Sequence, residues 1–175
     1  NALNIGSNVG INSSSGTGSG TGNIYIQNTI AANNSTSTVL SFNATGGIII
    51  SSGVNMTAGT APLSVLMTAG ENIPGTGIGT IAFQGNNTIT THGGNITLSG
   101  NANNNNVAPA PAVAGQNGTA GLAGVQLIGT TFNAGSGTIS ITGTGQTGGV
   151  GGAAANTGGA GGDGIIATGN TSMTA

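Results

Sequence analysis

Five Gly-led strands recur along this chain and constrain its fold more than any other feature: Gly22-Asn23-Ile24-Tyr25-Ile26, Gly47-Ile48-Ile49-Ile50, Gly79-Thr80-Ile81-Ala82-Phe83, Gly124-Val125-Gln126-Leu127 and Gly164-Ile165-Ile166-Ala167. After each of the first four come a strand with one apolar residue and then an alternating strand, at short spacing. The third repeat is the plainest. Ile81 and Phe83 alternate with smaller or polar neighbours, Asn86-Asn87 turns the chain, and Thr88-Ile89-Thr90 points one apolar residue inward. Gly93-Gly94 then turns it again, and Ile96 and Leu98 alternate once more. Period-two alternation marks strands with one buried face, and fixed internal repetition marks a solenoid. No segment carries helical periodicity, and the straight-chain helix formers are scarce or absent. The expected fold is all-β: a right-handed parallel β-helix, or β-solenoid, with about 20 residues per core coil.

Coils of this kind stack at roughly 4.8 Å, so like residues should form interior columns. Ile24, Ile48, Ile81, Val125 and Ile165 are the expected column of one wall. These residues are separated by 24, 33, 44 and 40 positions. The uneven spacing comes from inserts after the third strand of a coil, at 71–78, 101–123 and 144–163, the longer two rich in Gly, Ala and Asn. All three are expected to leave one corner of the helix as loops. Residues 1–21 read as an incomplete first coil, and the whole of 1–175 as a single solenoid segment of a longer chain. Neither terminus shows a charged or helical cap in the sequence, so both ends are expected to be open edges able to accept another coil.

Composition narrows the function. The 175 residues include no Lys or Arg, two acids, one His and no Cys, where ordinary domains are about a quarter charged. Nucleic acid is excluded as a partner, because displacing phosphate counterions requires cationic side chains. Attraction to anionic lipid fails for the same reason. No apolar run approaches the ~20 residues of a membrane helix, and aromatics at 2% are too few for the girdles of a membrane barrel. Membrane insertion is therefore not expected. Without Cys there is no disulfide framework and no thiolate metal site.

The chemical candidates are few. Glu71 and Asp163 are the only carboxylates. A glycosidase pair must stand within about 5–9.5 Å, whereas these two should lie about three coils, or roughly 14 Å, apart. No catalytic residue, cofactor site or metal site is expected, and the chain is read as no enzyme. His92, before Gly93-Gly94, has no neighbouring ligand in sequence and reads as a solvent-facing turn residue. Tyr25, the only tyrosine, faces outward between Ile24 and Ile26 and could stack one sugar ring. Gly148-Gly149-Val150-Gly151-Gly152 neither follows a strand nor opens a helix, so it is no phosphate loop. Among many Asn-x-Ser/Thr triplets, Asn34 and Asn117 fall in expected loops where a glycosyltransferase could reach them. Asn95 heads a strand and is expected in a side-chain ladder. Thr88-Ile89-Thr90 and Thr36-Ser37-Thr38 are similar to the outward threonine pairs of ice-binding solenoids, but without a matching pair on every coil.

Gly93-Gly94-Asn95-Ile96-Thr97-Leu98-Ser99-Gly100, Gly137-Thr138-Ile139-Ser140-Ile141-Thr142-Gly143 and Pro62-Leu63-Ser64-Val65-Leu66-Met67-Thr68-Ala69-Gly70 resemble the repeats of filamentous-haemagglutinin-type exoproteins of two-partner secretion. The resemblance covers residues 22 to 175. It implies a secreted protein at the bacterial cell surface, exported through a partner transporter of the outer membrane and acting in adhesion or biofilm. The Asn-Pro-Asn motifs of that family's secretion domain are absent from this sequence. The expected function is structural and adhesive, an extracellular fibre or adhesin stalk that continues a longer solenoid or self-associates end to end. The alternative is a module that binds glycan or a host surface through its corner loops. A polysaccharide-active enzyme and an ice-binding solenoid remain as lesser readings.

Overall fold

Strands of two to seven residues cannot stand alone in water, so the fold rests on how they stack. The structure, a computed structural model, describes residues 2–13, 21–70, 79–102, 116–117, 120–152 and 157–175. Its strands form three five-stranded sheets, and all strand pairing within them is parallel. Sheet A holds β1 (Val9–Ser13), β4 (Thr38–Ala44), β7 (Leu63–Ala69), β10 (Ile96–Asn101) and β13 (Ile139–Thr144). Sheet B holds β2 (Ile24–Ile26), β5 (Ile48–Ile50), β8 (Ile81–Phe83), β11 (Val125–Ile128) and β14 (Ile165–Thr168). Sheet C holds β3 (Ile30–Ala31), β6 (Asn55–Thr57), β9 (Thr88–Thr90), β12 (Thr131–Asn133) and β15 (Ser172–Thr174). The chain visits B, C and A in turn, giving four full coils that begin at β2, β5, β8 and β11, and then β14 and β15. This is a parallel β-helix.

The register places Ile24, Ile48, Ile81, Val125 and Ile165 in one column, as the repeat alone indicates. A second column in sheet A joins Phe42, Met67, Leu98 and Ile141, and one in sheet C joins Ile30, Met56, Ile89, Phe132 and Met173. The three phenylalanines take different sheets: Phe42 in A, Phe83 in B and Phe132 in C. No column therefore has to stack ring on ring. Phe83 and Phe132 meet edge to face across the interior, with centroids 5.5 Å apart, a geometry that adds to their burial.

Sheet A passes to sheet B in three residues after β4, whereas the described parts of 102–124 and 145–164 leave from this same corner, and 71–78 lies outside the described residues. The two longer inserts thus share one corner. Two boundaries move. Asn101 and Thr144, read from the sequence as the first residues of their inserts, are instead paired with each other at the ends of β10 and β13. The described parts of the two longer inserts also bind one another. Gln146 N donates to Leu122 O at 2.8 Å and Gly121 N to Ala160 O at 2.9 Å, while Gly162 N donates to Gln146 O at 2.7 Å within the second of them. These arms pack backbone on backbone: a Cβ at Gly162 would meet Leu122 O, and one at Gly121 would meet Gln146 O.

The ends differ in one respect, although β1 and β2 remain edge strands and Ile5 and Ile11 stay exposed at the first. A 3-10 turn, η1 (Leu3–Ile5), precedes β1 and buries Leu3 in the core at 4% exposure. It is fastened to the first coil, since Asn33 N donates to Asn4 Oδ1 at 2.8 Å. A turn this short is not legible as a helix, because it carries no periodic pattern. The opposite end leaves Ile165 and Met173 44% and 48% exposed.

Candidate functional site

With no cation and few acids, the polar chemistry of this rod lies in its amides and hydroxyls, and the corners decide which of them remain free. Four asparagines just ahead of or opening strands reach to the equivalent position of the next coil. The Oδ1 atoms of Asn8, Asn23, Asn55 and Asn95 accept from the backbone N of Val39, Gly47, Thr88 and Thr138, at 2.7–3.0 Å. Asn95 was expected in a side-chain ladder; it links side chain to backbone instead, while its own N donates to Ser64 Oγ. Two further asparagines are wholly interior. Asn87 Nδ2 donates to Ser51 O and Val54 O, and its Oδ1 accepts from Gly85 N.

Asn34 is the second, and it corrects the reading of an accessible loop amide. Its side chain is 0% exposed. Nδ2 donates to the carbonyls of Thr36, Ala61 and Pro62, and Oδ1 accepts from Gly59 N at 2.8 Å. The nitrogen that would carry a glycan is consumed in joining two coils. Asn117 is exposed.

Glu71 lies outside the described residues. Asp163 is exposed at the A-to-B corner, where its backbone carbonyl accepts from Gly124 N at 3.1 Å. His92 is exposed at a turn tip with φ 49°, and the following Gly93 has φ 96°. Beneath it the buried Thr91 donates its hydroxyl to Gly94 O. Among the described residues no three His, Cys, Asp or Glu side chains cluster as metal ligands. Tyr25 faces outward on sheet B, 61% exposed, and accepts from Asn23 Nδ2 at 3.3 Å. The two threonine motifs part company. Thr88 and Thr90 face outward on sheet C, but Thr38 points into the core, and its hydroxyl has no hydrogen-bond partner. Thr36-Ser37-Thr38 is therefore no outward pair.

A concave polar surface that sequence reading missed lies at the B-to-C corner. It is a groove of about 650 Å³ bordered by Gln84, Asn86, Thr88, Ile128, Thr131 and Asn170, with Gly129 in its floor. No charged side chain borders it. The signal that could have found it is a corner of Ile128-Gly129-Thr130 where the preceding coil has Gln84-Gly85-Asn86-Asn87. Chemically, the arrangement can exchange neutral hydrogen bonds and little else. No family model, no curated protein and no solved structure matches this chain.

Proposed function

We propose that this chain is a structural and adhesive element, a segment of an extracellular fibre or adhesin stalk at a bacterial surface. One observation carries the reading: every coil repeats the same stacking interface, so the molecule extends by adding rungs to a rod with an almost uncharged surface. The exposed end adds to it. Ile139, Ile141, Ile165, Met173 and Ala175 line an apolar cleft of about 400 Å³ there, a surface suited to another rung from the same chain or from a second copy. Near-zero net charge also removes the repulsion that keeps proteins apart. The resemblance to filamentous-haemagglutinin-type repeats adds secretion through an outer-membrane transporter to the same reading.

Cryo-electron microscopy of native extracellular material tests it. Rods with a rung repeat near 4.8 Å that contain this sequence support the proposal. Recovery of the chain solely as an intracellular particle, or polysaccharide cleavage by the purified protein, overturns it. A second reading, attachment to glycan or host surface through the corner inserts, is favoured by the exposed Leu122 and Val150 on those arms. Deleting 103–122 and 147–160 should then abolish attachment while leaving the rod folded.

A further inference from the structure

Strand register on both sides of the B-to-C corner fixes how many residues each coil spends there. Ile50, Phe83, Leu127 and Ala167 share one column at the end of sheet B. Asn55, Thr88, Thr131 and Ser172 share one at the start of sheet C. Between these columns the second coil has Ser51-Ser52-Gly53-Val54, the third Gln84-Gly85-Asn86-Asn87, and the last Thr168-Gly169-Asn170-Thr171. The fourth coil has only Ile128-Gly129-Thr130. It is one residue short between two full-length corners. Asn86 and Asn170 occupy the same third position of those flanking corners, so they stand as jaws across a missing residue, two rungs or about 10 Å apart. Gly129, with φ 52°, supplies a floor without a side chain.

We propose that this notch binds one uncharged sugar ring of a glycan. The side chains of Gln84, Asn86 and Asn170 are exposed and make no hydrogen bond among the described residues. Amides both donate and accept, as do the hydroxyls of a sugar. Thr88 and Thr131 add hydroxyls on the sheet C side, and the exposed Ile128 offers an apolar patch to the C–H face of a ring. With no charge at the rim, an anionic or cationic ligand finds no counter-ion.

Both jaws are held from below. Asn87 ties the Asn86 corner to Ser51 O and Val54 O in the coil before. On the other side Thr171 Oγ1 donates to Thr168 O at 3.0 Å, and Gly129 N donates to the same carbonyl at 2.9 Å. Groups fixed before binding lose little entropy when the ligand arrives. The notch is separate from the arms at the A-to-B corner and does not depend on assembly of the rod.

Saturation-transfer NMR with the intact chain tests the proposal, using the methyl glycosides of glucose, mannose and N-acetylglucosamine as neutral probes and methyl glucuronide as the acidic control. At least one neutral glycoside should bind, and the glucuronide should not. The double variant Asn86→Gly/Asn170→Ala, which keeps a residue suited to the left-handed backbone at 86, should bind about tenfold more weakly. Inserting one Asn between Gly129 and Thr130 restores the corner length and should abolish binding with the β circular dichroism intact. Thr142→Ala, on the outer face of sheet A, should change nothing. No binding of any neutral probe, equal binding of the glucuronide, or undiminished binding by the insertion variant overturns the proposal.

Discussion

Asn34 in the first coil donates its side-chain amide to the carbonyl of Ala61 in the second, at 2.9 Å and across 27 residues of chain. With its bonds to Thr36 O, Pro62 O and Gly59 N it forms a buried cross-link between coils. Asn34→Ala would strand buried backbone groups, each costing about 1–3 kcal/mol when left unpaired. A loss of about 3 kcal/mol is expected, read from the urea midpoint by circular dichroism. Asn34→Asp should be no better, because it sets a negative charge against three carbonyl oxygens. Midpoints equal to the parent's would show that this cross-link contributes nothing.

The same geometry separates the two candidate glycosylation sites. In a host that glycosylates Asn-x-Ser/Thr, peptide mass spectrometry should find Asn34 unmodified, since its Nδ2 is enclosed by three acceptors. Any glycan should sit at exposed sites such as Asn117. Occupancy at Asn34 in folded protein would contradict the burial described here.

Thr38 offers the opposite case. It opens β4 on the inward side, pairs in register with Leu63, and buries a hydroxyl with no partner. Thr38→Val replaces that hydroxyl with a methyl group of similar size. Removing an unsatisfied buried group should stabilise the protein by about 1 kcal/mol, seen as a higher urea midpoint at unchanged slope. A lower midpoint would mean that the hydroxyl has a role that its hydrogen bonding does not reveal.

Thr38 also shows what was legible. Its inward side follows from the alternation of Leu40, Phe42 and Ala44, a period-two pattern written in the sequence; reading it with Thr36 hid that parity. The column from Ile24 to Ile165 was legible for the same reason: local alternation sets its parity, and a glycine one or two residues ahead marks each strand head. Asn34 was not. Its side depends on carbonyls of the next coil, at Ala61 and Pro62, and nothing near Asn33-Asn34-Ser35 encodes them. The notch at Gly129 lies between. Its short corner is present in the sequence, but a missing residue has meaning only once Leu127 is aligned with Phe83, and Thr131 with Thr88.

The unequal ends predict unequal mutational costs. Leu3 is the residue by which η1 enters the core, so Leu3→Ala removes packed methyl groups and should cost about 2–3 kcal/mol. Ile165→Ala acts on a side chain already 44% exposed and should cost about 1 kcal/mol. Denaturant titration of both variants checks this. Equal losses would mean that η1 does not close its end of the core.

The glycine-rich arms supply the last test, because their contact depends on the absence of side chains. A Cβ at Gly162 would collide with Leu122 O and with the Gly121 backbone, neither of which is the flexible end of a side chain. Gly162→Ala should therefore part the arms, breaking the bonds of Gly121 N to Ala160 O and Gln146 N to Leu122 O. The core should not follow. Val125 N donates to Gly164 O in the β11–β14 ladder of sheet B, and the Val125 side chain is buried in the core. Amide exchange should accelerate by about tenfold or more at residues 121 and 146 while Val125 and Ile81 keep their protection. Acceleration at all four would mean that the arms and the coils unfold as one unit, and that the inserts are part of what holds the rod together.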